Sequence, residues 1–336
     1  MPFVNREYEL ERLRELATDD RRHLALIYGR RRIGKTYLLT HAWEDTAALY
    51  FTASATSPEI NRRALLREAS AWSGEELRAQ DYPTWRTVFR AIFELRPDEQ
   101  MVVVLDEFQY LAADDDGLRE VASELNAVWE GKLRRSGGLL LVLSGSAVGA
   151  LNALESGGSP LFGRLDWRRR LPPFDYFDAG RMVDWSEREK VLTYAAFGGT
   201  PKYLDAIDRD RTLDQNIVDL MLSPDGNVRM QVETALEQEE GLRDHARYRA
   251  ILASVGLKRR TVGDIAASMG QSADRALKRM IKRLVELDYL EEDRNFDAPR
   301  NQAKRYRLAD PAQRFYYGLV LPNESAIASA EAERVW

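Results

Sequence analysis

One stretch of eight residues constrains this chain more than any other: Gly29-Arg30-Arg31-Arg32-Ile33-Gly34-Lys35-Thr36 reads G-x-x-x-x-G-K-[ST] without a mismatch. An apolar run over residues 23–28 precedes it and helical periodicity over residues 35–43 follows, so the loop joins a strand to a helix. Glycines let such a loop close tightly around a β-phosphate, and its backbone N–H groups with the positive helix N-terminus neutralise the phosphate charge. Lys35 is expected to reach the β- and γ-phosphates and to act in catalysis, and Thr36 to offer its hydroxyl to Mg²⁺. Gly29, Arg32, Ile33, Gly34, Lys35, Thr36 and the following Tyr37 are the expected contacts of a bound ATP or ADP.

A magnesium nucleotide needs a second oxygen ligand close to the loop. Met101-Val102-Val103-Val104-Leu105-Asp106-Glu107 is an apolar strand ending in two carboxylates. Asp106 is expected to orient the metal through its water shell, and Glu107 to polarise the attacking water as general base. Residues 101–105 and 139–143 are apolar throughout instead of alternating, which suits strands buried on both faces. With a further strand at residues 47–52 and a helical pattern at 117–135, strands alternate with helices, and the fold class is α/β with a P-loop NTPase parallel sheet. Residues 139–143 are expected beside the Asp106 strand. Ser144 or Ser146 at its end would then face the γ-phosphate, or would simply make the turn there. The run Asp114-Asp115-Asp116 reads as a solvated loop.

The bulk properties narrow the class further. With 336 residues the chain is expected to hold two or more domains, and 44% hydrophobic with 31% charged residues is globular composition. No apolar run approaches the roughly 20 residues of a bilayer span, and the charged start shows no secretory h-region, so the expected compartment is the cytoplasm, with no membrane partner. The absence of cysteine removes disulfides, thiolate metal sites and thiol nucleophiles, and His23, His41 and His245 have no ligand spacing.

Charge is uneven. The net value is −5, yet residues 249–310 carry fourteen Lys and Arg against nine Asp and Glu, a mild pointer to nucleic acid at that end. Helical patterns at residues 261–269 and 272–287, separated by a turn at Gly270, precede two polar strand candidates at residues 289–294 and 304–308, the spacing of a winged helix. Arg275, Lys278, Arg279, Lys282 and Arg283 recur at steps of three and four opposite Leu277, Ile281, Leu284 and Leu287. Such a basic face suits the phosphates of double-stranded DNA. The same pattern fits a module that packs on the ATPase with its cations solvated or paired to acidic neighbours. The expected organisation is an α/β domain at 1–172, a helical lid at 173–243, a winged-helix domain at 244–317 and a tail at 318–336.

Taken in order, Phe3-Val4-Asn5-Arg6-Glu7, the phosphate loop, Leu105-Asp106-Glu107-Phe108-Gln109-Tyr110 and Gly198-Gly199-Thr200-Pro201-Lys202-Tyr203-Leu204 resemble the archaeal-type ATPases of the STAND/AAA+ group. The resemblance runs from Phe3 to about Tyr317 and implies that Phe3, Val4 and Arg6 lie near the adenine. It also implies that Pro201 closes over the base or sugar, which a rigid proline beside two permissive glycines could do, although a plain helix-breaking turn reads the same way. Residues 159–164 resemble the segment after the sensor strand of that group. Arg164 is then a candidate arginine finger, or part of a charged face with residues 165–170. A nuclease-like domain often follows residues like 310–317 in the group, whereas this chain ends at Trp336; a short form, a truncated chain and half of a split system all fit.

Two outputs follow. One is a Mg²⁺-dependent ATPase whose nucleotide state switches DNA binding or assembly, with a nuclease or other protein, or further copies of itself, as partners. The other is a nucleotide-locked scaffold that binds a partner protein with little turnover. A small-molecule kinase also uses a P-loop, but the adjoining Asp106-Glu107 and the winged-helix spacing argue against it.

Overall fold

The computed structural model describes residues 3–43, 47–154, 156–239, 242–293, 303–331 and 335–336. Two compact units divide the chain: Arg6–Pro172, and Met1–Asn5 together with Pro173–Trp336. Among the described residues no helix is long and apolar enough to cross a membrane.

The Arg6–Pro172 unit runs α1 (Glu7–Thr18), β1 (Arg22–Tyr28), α2 (Lys35–Ala42), β2 (Ala48–Thr52), α3 (Pro58–Ser73), α4 (Trp85–Phe93), β3 (Met101–Asp106), α5 (Asp115–Trp129), β4 (Leu139–Gly145), α6 (Val148–Ala153) and β5 (Trp167–Arg170). The five strands are parallel in the order β2-β3-β4-β1-β5. Strands β3 and β4 are buried along their whole length and β1 in all but its first residue, so continuous apolar sequence becomes the centre of a sheet covered on both faces. The register sets Tyr28 against Gly145 and Leu105 against Leu143, which brings the end of β1, Asp106 and the Ser144-Gly145-Ser146 segment to one edge. Ligands of open α/β sheets bind at that carboxyl edge.

Three local features differ from the sequence expectation. Residues 167–170 form an edge strand; Trp-Arg-Arg-Arg lacks an apolar run because an edge strand tolerates charge that guards it against further pairing. The Asp114-Asp115-Asp116 run starts α5 instead of looping: Asp114 Oδ1 accepts from Gly117 N at 2.8 Å, and the next two carboxylates complement the helix dipole. Helix α5 ends at Trp129, and Arg135 lies beyond it, donating to the carbonyls of Phe93 at 3.1 Å, Leu95 at 2.9 Å and Gly138 at 3.1 Å. One planar, multi-donor side chain thus satisfies loop carbonyls at the amino edge of the sheet.

In the second unit α7 (Tyr176–Gly180), α8 (Glu187–Phe197), α9 (Pro201–Asp205), α10 (Leu213–Ile217) and α11 (Asn227–Glu233) come first. They are followed by α12 (His245–Val255), β6 (Arg260–Thr261), α13 (Val262–Ser268), α14 (Arg275–Glu286), β7 (Leu290–Asp293) and β8 (Arg305–Leu308). The last three strands make an antiparallel sheet in the order β6-β8-β7. Strand β6 was not expected, and Arg294 of the expected strand lies outside the described residues. The supposed tail is also revised. After α15 (Pro311–Phe315) the chain continues in helical turns to Glu331, burying Val320 and Ile327, and Glu324 receives a 2.7 Å hydrogen bond from the buried Arg229. Pro322 and the short apolar spacing concealed that helix from periodicity.

Candidate functional site

The loop after β1 is shaped by backbone that few side chains permit. Gly34 has φ 87° where α2 begins, and Arg32 has φ 70° in the same left-handed region. At Gly29 an added Cβ would lie 2.5 Å from the Leu171 carbonyl oxygen and 2.4 Å from Ile33 Cδ1, so only glycine fits against β5's continuation. Lys35 is 5% exposed, and its Nζ donates to the carbonyls of Gly29 at 2.9 Å and Arg30 at 3.1 Å. Its ammonium is therefore held by the carbonyls of the loop itself.

Asp106, at the end of β3 and 1% exposed, stands beside this loop. Its Oδ2 accepts from Thr36 Oγ1 at 3.1 Å and from the Tyr50 hydroxyl at 2.8 Å, and its Oδ1 from Glu107 N at 3.0 Å. Burial first, and then the Asp106 charge, raise the Tyr50 phenol above its ordinary pKa, so it stays a donor. A hydroxyl and a carboxylate oxygen this close fit Mg²⁺, a hard cation that takes few protein oxygens and keeps water and phosphate ligands. Among the described residues no cluster of three or more His, Cys, Asp or Glu could hold a metal alone, so most ligands of such an ion would come from nucleotide and water.

Glu107 has φ 53° and ψ 45°, left-handed backbone for a non-glycine residue. Its Oε2 accepts from Ser146 Oγ at 2.7 Å, Ser146 N at 3.1 Å and Gln109 Nε2 at 2.5 Å. A further side chain braces the turn after Glu107. Asn61 of α3, fully buried, donates to the carbonyls of Tyr110 at 2.7 Å and Ser54 at 2.9 Å and accepts from Ser54 N at 3.0 Å. It ties the end of β2 to the turn after Glu107. Arg31 of the loop donates to the Tyr110 hydroxyl at 2.6 Å.

The structure thus gathers Gly29, Arg32, Ile33, Gly34, Lys35, Thr36, Asp106, Glu107 and Ser146 at one sheet edge. Tyr37 follows in α2, its ring 4.0 Å from that of His41. Ser144 is within β4 and wholly buried, and its hydroxyl has no hydrogen-bond partner among the described residues. Arg164 does not join the cluster. It precedes β5, whose register sets Trp167 opposite Ala25, and its Nε lies 3.2 Å from Glu130 Oε1 just after α5, at the amino edge of the sheet. Within its own chain Arg164 stands at the opposite edge from the loop, on a charged face with Glu130: β1 spans the interval, and at about 3.3 Å per residue the side chain is too short to cross it. Arg6 is buried at the start of α1 and donates to the Pro172 carbonyl, with Glu9 4.0 Å away. Phe3, Val4 and Pro201 belong to the other unit, where Val4 is buried and Pro201 opens α9. On α14, Arg275, Lys278, Arg279 and Lys282 are exposed and Arg283 half-buried, with Leu277, Ile281 and Leu284 inward; Glu286 lies 3.6 Å from Lys282 and 3.5 Å from Arg283.

Tyr50 and Asn61 escaped the sequence reading, since an isolated Tyr or Asn carries no motif and Asp106 and Tyr110 lie 56 and 49 residues away; Gln109 stood in the quoted motif without a role of its own. Tyr50→Phe tests the first. Loss of a hydrogen bond to a charged group should raise the Mg²⁺ needed for half-maximal turnover by about tenfold, read by Mg²⁺ titration, with nucleotide binding in chelator unchanged. An unaltered Mg²⁺ requirement would make the phenol a bystander.

With this geometry in place, likenesses to known proteins become informative. A family model described as an ATPase domain predominantly from Archaea matches residues 3–207. An uncharacterized protein of Methanocaldococcus jannaschii is 25% identical over 332 residues, covering 97% of this chain and 70% of that one. Among solved structures, a Walker-type ATPase of Pyrococcus abyssi superposes with TM-score 0.66 at 20% identity, covering 94% of this chain and 96% of its own. The ORC2 protein of Aeropyrum pernix, solved in ADPNP-ADP complexes, gives TM-score 0.57 at 15% identity, covering 99% and 96%. At such identities the last two speak for the fold.

Proposed function

Because this chain belongs to the family of ATPase domains found predominantly in Archaea, we propose that it is a Mg²⁺-dependent ATPase that works as a nucleotide-driven switch of the STAND/AAA+ kind. The observation that carries the chemistry is the 3.1 Å approach of Thr36 Oγ1 to Asp106 Oδ2 beside the loop that wraps Lys35. The loop amides bind the phosphates, and Lys35 balances charge on the β- and γ-groups. Thr36 and Asp106 would hold Mg²⁺, which when bound would screen the phosphate charge during transfer. Glu107 orients a water toward the γ-phosphorus and takes its proton as the bond to the β-phosphate oxygen breaks and ADP leaves. Ser146, beside Glu107, would sense the γ-phosphate. Phosphate release from ATP that requires Mg²⁺ supports this reading; failure of the chain to retain any nucleotide overturns it.

The output we propose is DNA association through residues 244–317 as a winged helix. Support comes from the helix-strand-helix-helix-strand-strand order and the exposed cations of α14. Arg279→Glu with Lys282→Glu should lower affinity for duplex DNA by about 10²-fold near 0.1 M salt and flatten the salt dependence by roughly two counterions, measured by anisotropy titration. Equal affinity in the variant would return α14 to a packing role. Arg164, at the amino edge, fits contact with the phosphates of a second copy in a homo-oligomer better than with its own. The nucleotide-locked scaffold, bound to a nuclease or other protein partner, is the second reading, favoured by the three donors already engaged on Glu107 Oε2.

A further inference from the structure

The phosphate loop and the turn after Glu107 are joined by the side chain of Arg31. We propose that Arg31 is a catalytic residue of this site: its guanidinium, propped from the facing turn by the Tyr110 hydroxyl, lies against the γ-phosphate and neutralises the charge that builds there during transfer. The inference rests on the ATPase reading above and adds a second protein cation to it.

Two anchors fix where the guanidinium stands. Arg31 follows Gly29 and Arg30, whose carbonyls hold Lys35 Nζ at 2.9 Å and 3.1 Å, so its backbone belongs to the part of the loop wrapped around that ammonium. Its Nη2 donates to the Tyr110 hydroxyl at 2.6 Å, and Tyr110 N donates to the Glu107 carbonyl at 2.9 Å. Asn61, wholly buried, donates to the Tyr110 carbonyl at 2.7 Å, so the phenol is set by α3 and not by the loop it meets. The arginine therefore spans the space between the phosphate cradle and the general base. A γ-phosphate that Lys35 holds on one side and a water on Glu107 attacks from the other fits within that span.

Charge supplies the reason for a cation there. With Mg²⁺ and Lys35 in place the triphosphate is still negative, and Asp106 and Glu107 set two carboxylates beside it. Arg164 of the same chain stands at the other edge of the sheet. Arg31 is exposed, so its charge rests in water until phosphate arrives and little desolvation opposes the approach. A guanidinium has five N–H donors in a planar fork, enough to keep the Tyr110 contact and still reach phosphate oxygens. It gives up no proton. The attacking water loses its proton to Glu107, the β-phosphate oxygen leaves with the electron pair of the broken bond, and Arg31 stays cationic throughout.

Binding of ADP with aluminium fluoride, a stand-in for the transferring phosphoryl group, tests this without turnover. On the full chain with Mg²⁺, Arg31→Ala should hold ADP affinity within about threefold and lower affinity for ADP with aluminium fluoride by about 10²-fold, with a similar fall in kcat at nearly constant KM. Arg31→Lys keeps the charge but not the fork and should recover only part of both. Tyr110 is a positioning residue acting through Arg31, so Tyr110→Phe should lower kcat by about threefold to tenfold in the parent and not at all beside Arg31→Ala. Added guanidinium ion at millimolar concentration should restore part of the rate to Arg31→Ala and none to the parent, a response that a merely structural strap would not give. Folding of each variant is checked by its thermal transition. Equal losses for ADP with and without aluminium fluoride in Arg31→Ala, or no loss in either, overturn the catalytic role and leave the ATPase reading standing. Absence of nucleotide binding by the unaltered chain overturns both.

Discussion

Glu107→Gln should keep ATP bound and lose turnover by about 10²- to 10³-fold, the usual contribution of a positioned general base. The amide is nearly isosteric and its carbonyl oxygen can still accept from Ser146 Oγ, so the geometry at the end of β3 survives. What it cannot do is accept the proton of the attacking water. Binding should be unaffected, because the phosphate cradle is built from the loop before α2, Lys35 and Thr36, none of which the substitution removes. The measurement is single-turnover phosphate release beside nucleotide titration. A fall in kcat at constant affinity fits a group acting only in the transition state. Turnover within threefold of the parent would place the base elsewhere, and an immeasurable parent rate with tight ATP would favour the scaffold reading.

Gly199→Ala should destabilise the second unit by about 3 kcal/mol or more, the cost of forcing a side chain into closed packing. A Cβ there would lie 1.8 Å from the Phe174 carbonyl oxygen and 2.7 Å from its carbon, and backbone cannot swing aside as a side chain tip can. Phe174 N also donates to Gly199 O at 2.8 Å, so the two segments are held at that distance. The preceding Gly198 has φ 66°, and a Cβ on it would meet Asp310 Oδ1 at 2.6 Å, where Asp310 caps α15 through Ala312 N at 2.9 Å. Thermal unfolding should show a fall of about 6 to 12 °C for a unit of this size, against no change in Gly158→Ala, where nothing lies within 4 Å of the added carbon. If the glycine pair served the nucleotide alone, Gly199→Ala would weaken ATP binding without moving the transition. The packing gives a sufficient reason for these glycines, and a role for Pro201 at the base stands as a separate proposal.

How much was legible depended on how local the physics is. The phosphate loop, Asp106 and the presence of β1, β3 and β4 as strands could be read directly, because a tight loop needs its glycines in sequence and a strand buried on both faces needs an unbroken apolar run. Strand β5 could not, since its pairing with β1 comes from the backbone while its side chains are those of an exposed edge. Nor could the far placement of Arg164, which follows from the direction of β5 and not from its distance in sequence.

The chain's own sequence therefore determined the strand, loop and helix of the G-x-x-x-x-G-K-[ST] segment, and Asp106 as the carboxylate that ends β3. Only the tertiary structure decided what holds the carboxylates. Tyr50 reaches Asp106 across 56 residues, and Ser146 reaches Glu107 across 39. Hydrogen bonds between neighbouring strands depend on sheet order and register, which no short pattern encodes, so the surroundings of Asp106 and Glu107 emerge only when β2, β3 and β4 lie side by side.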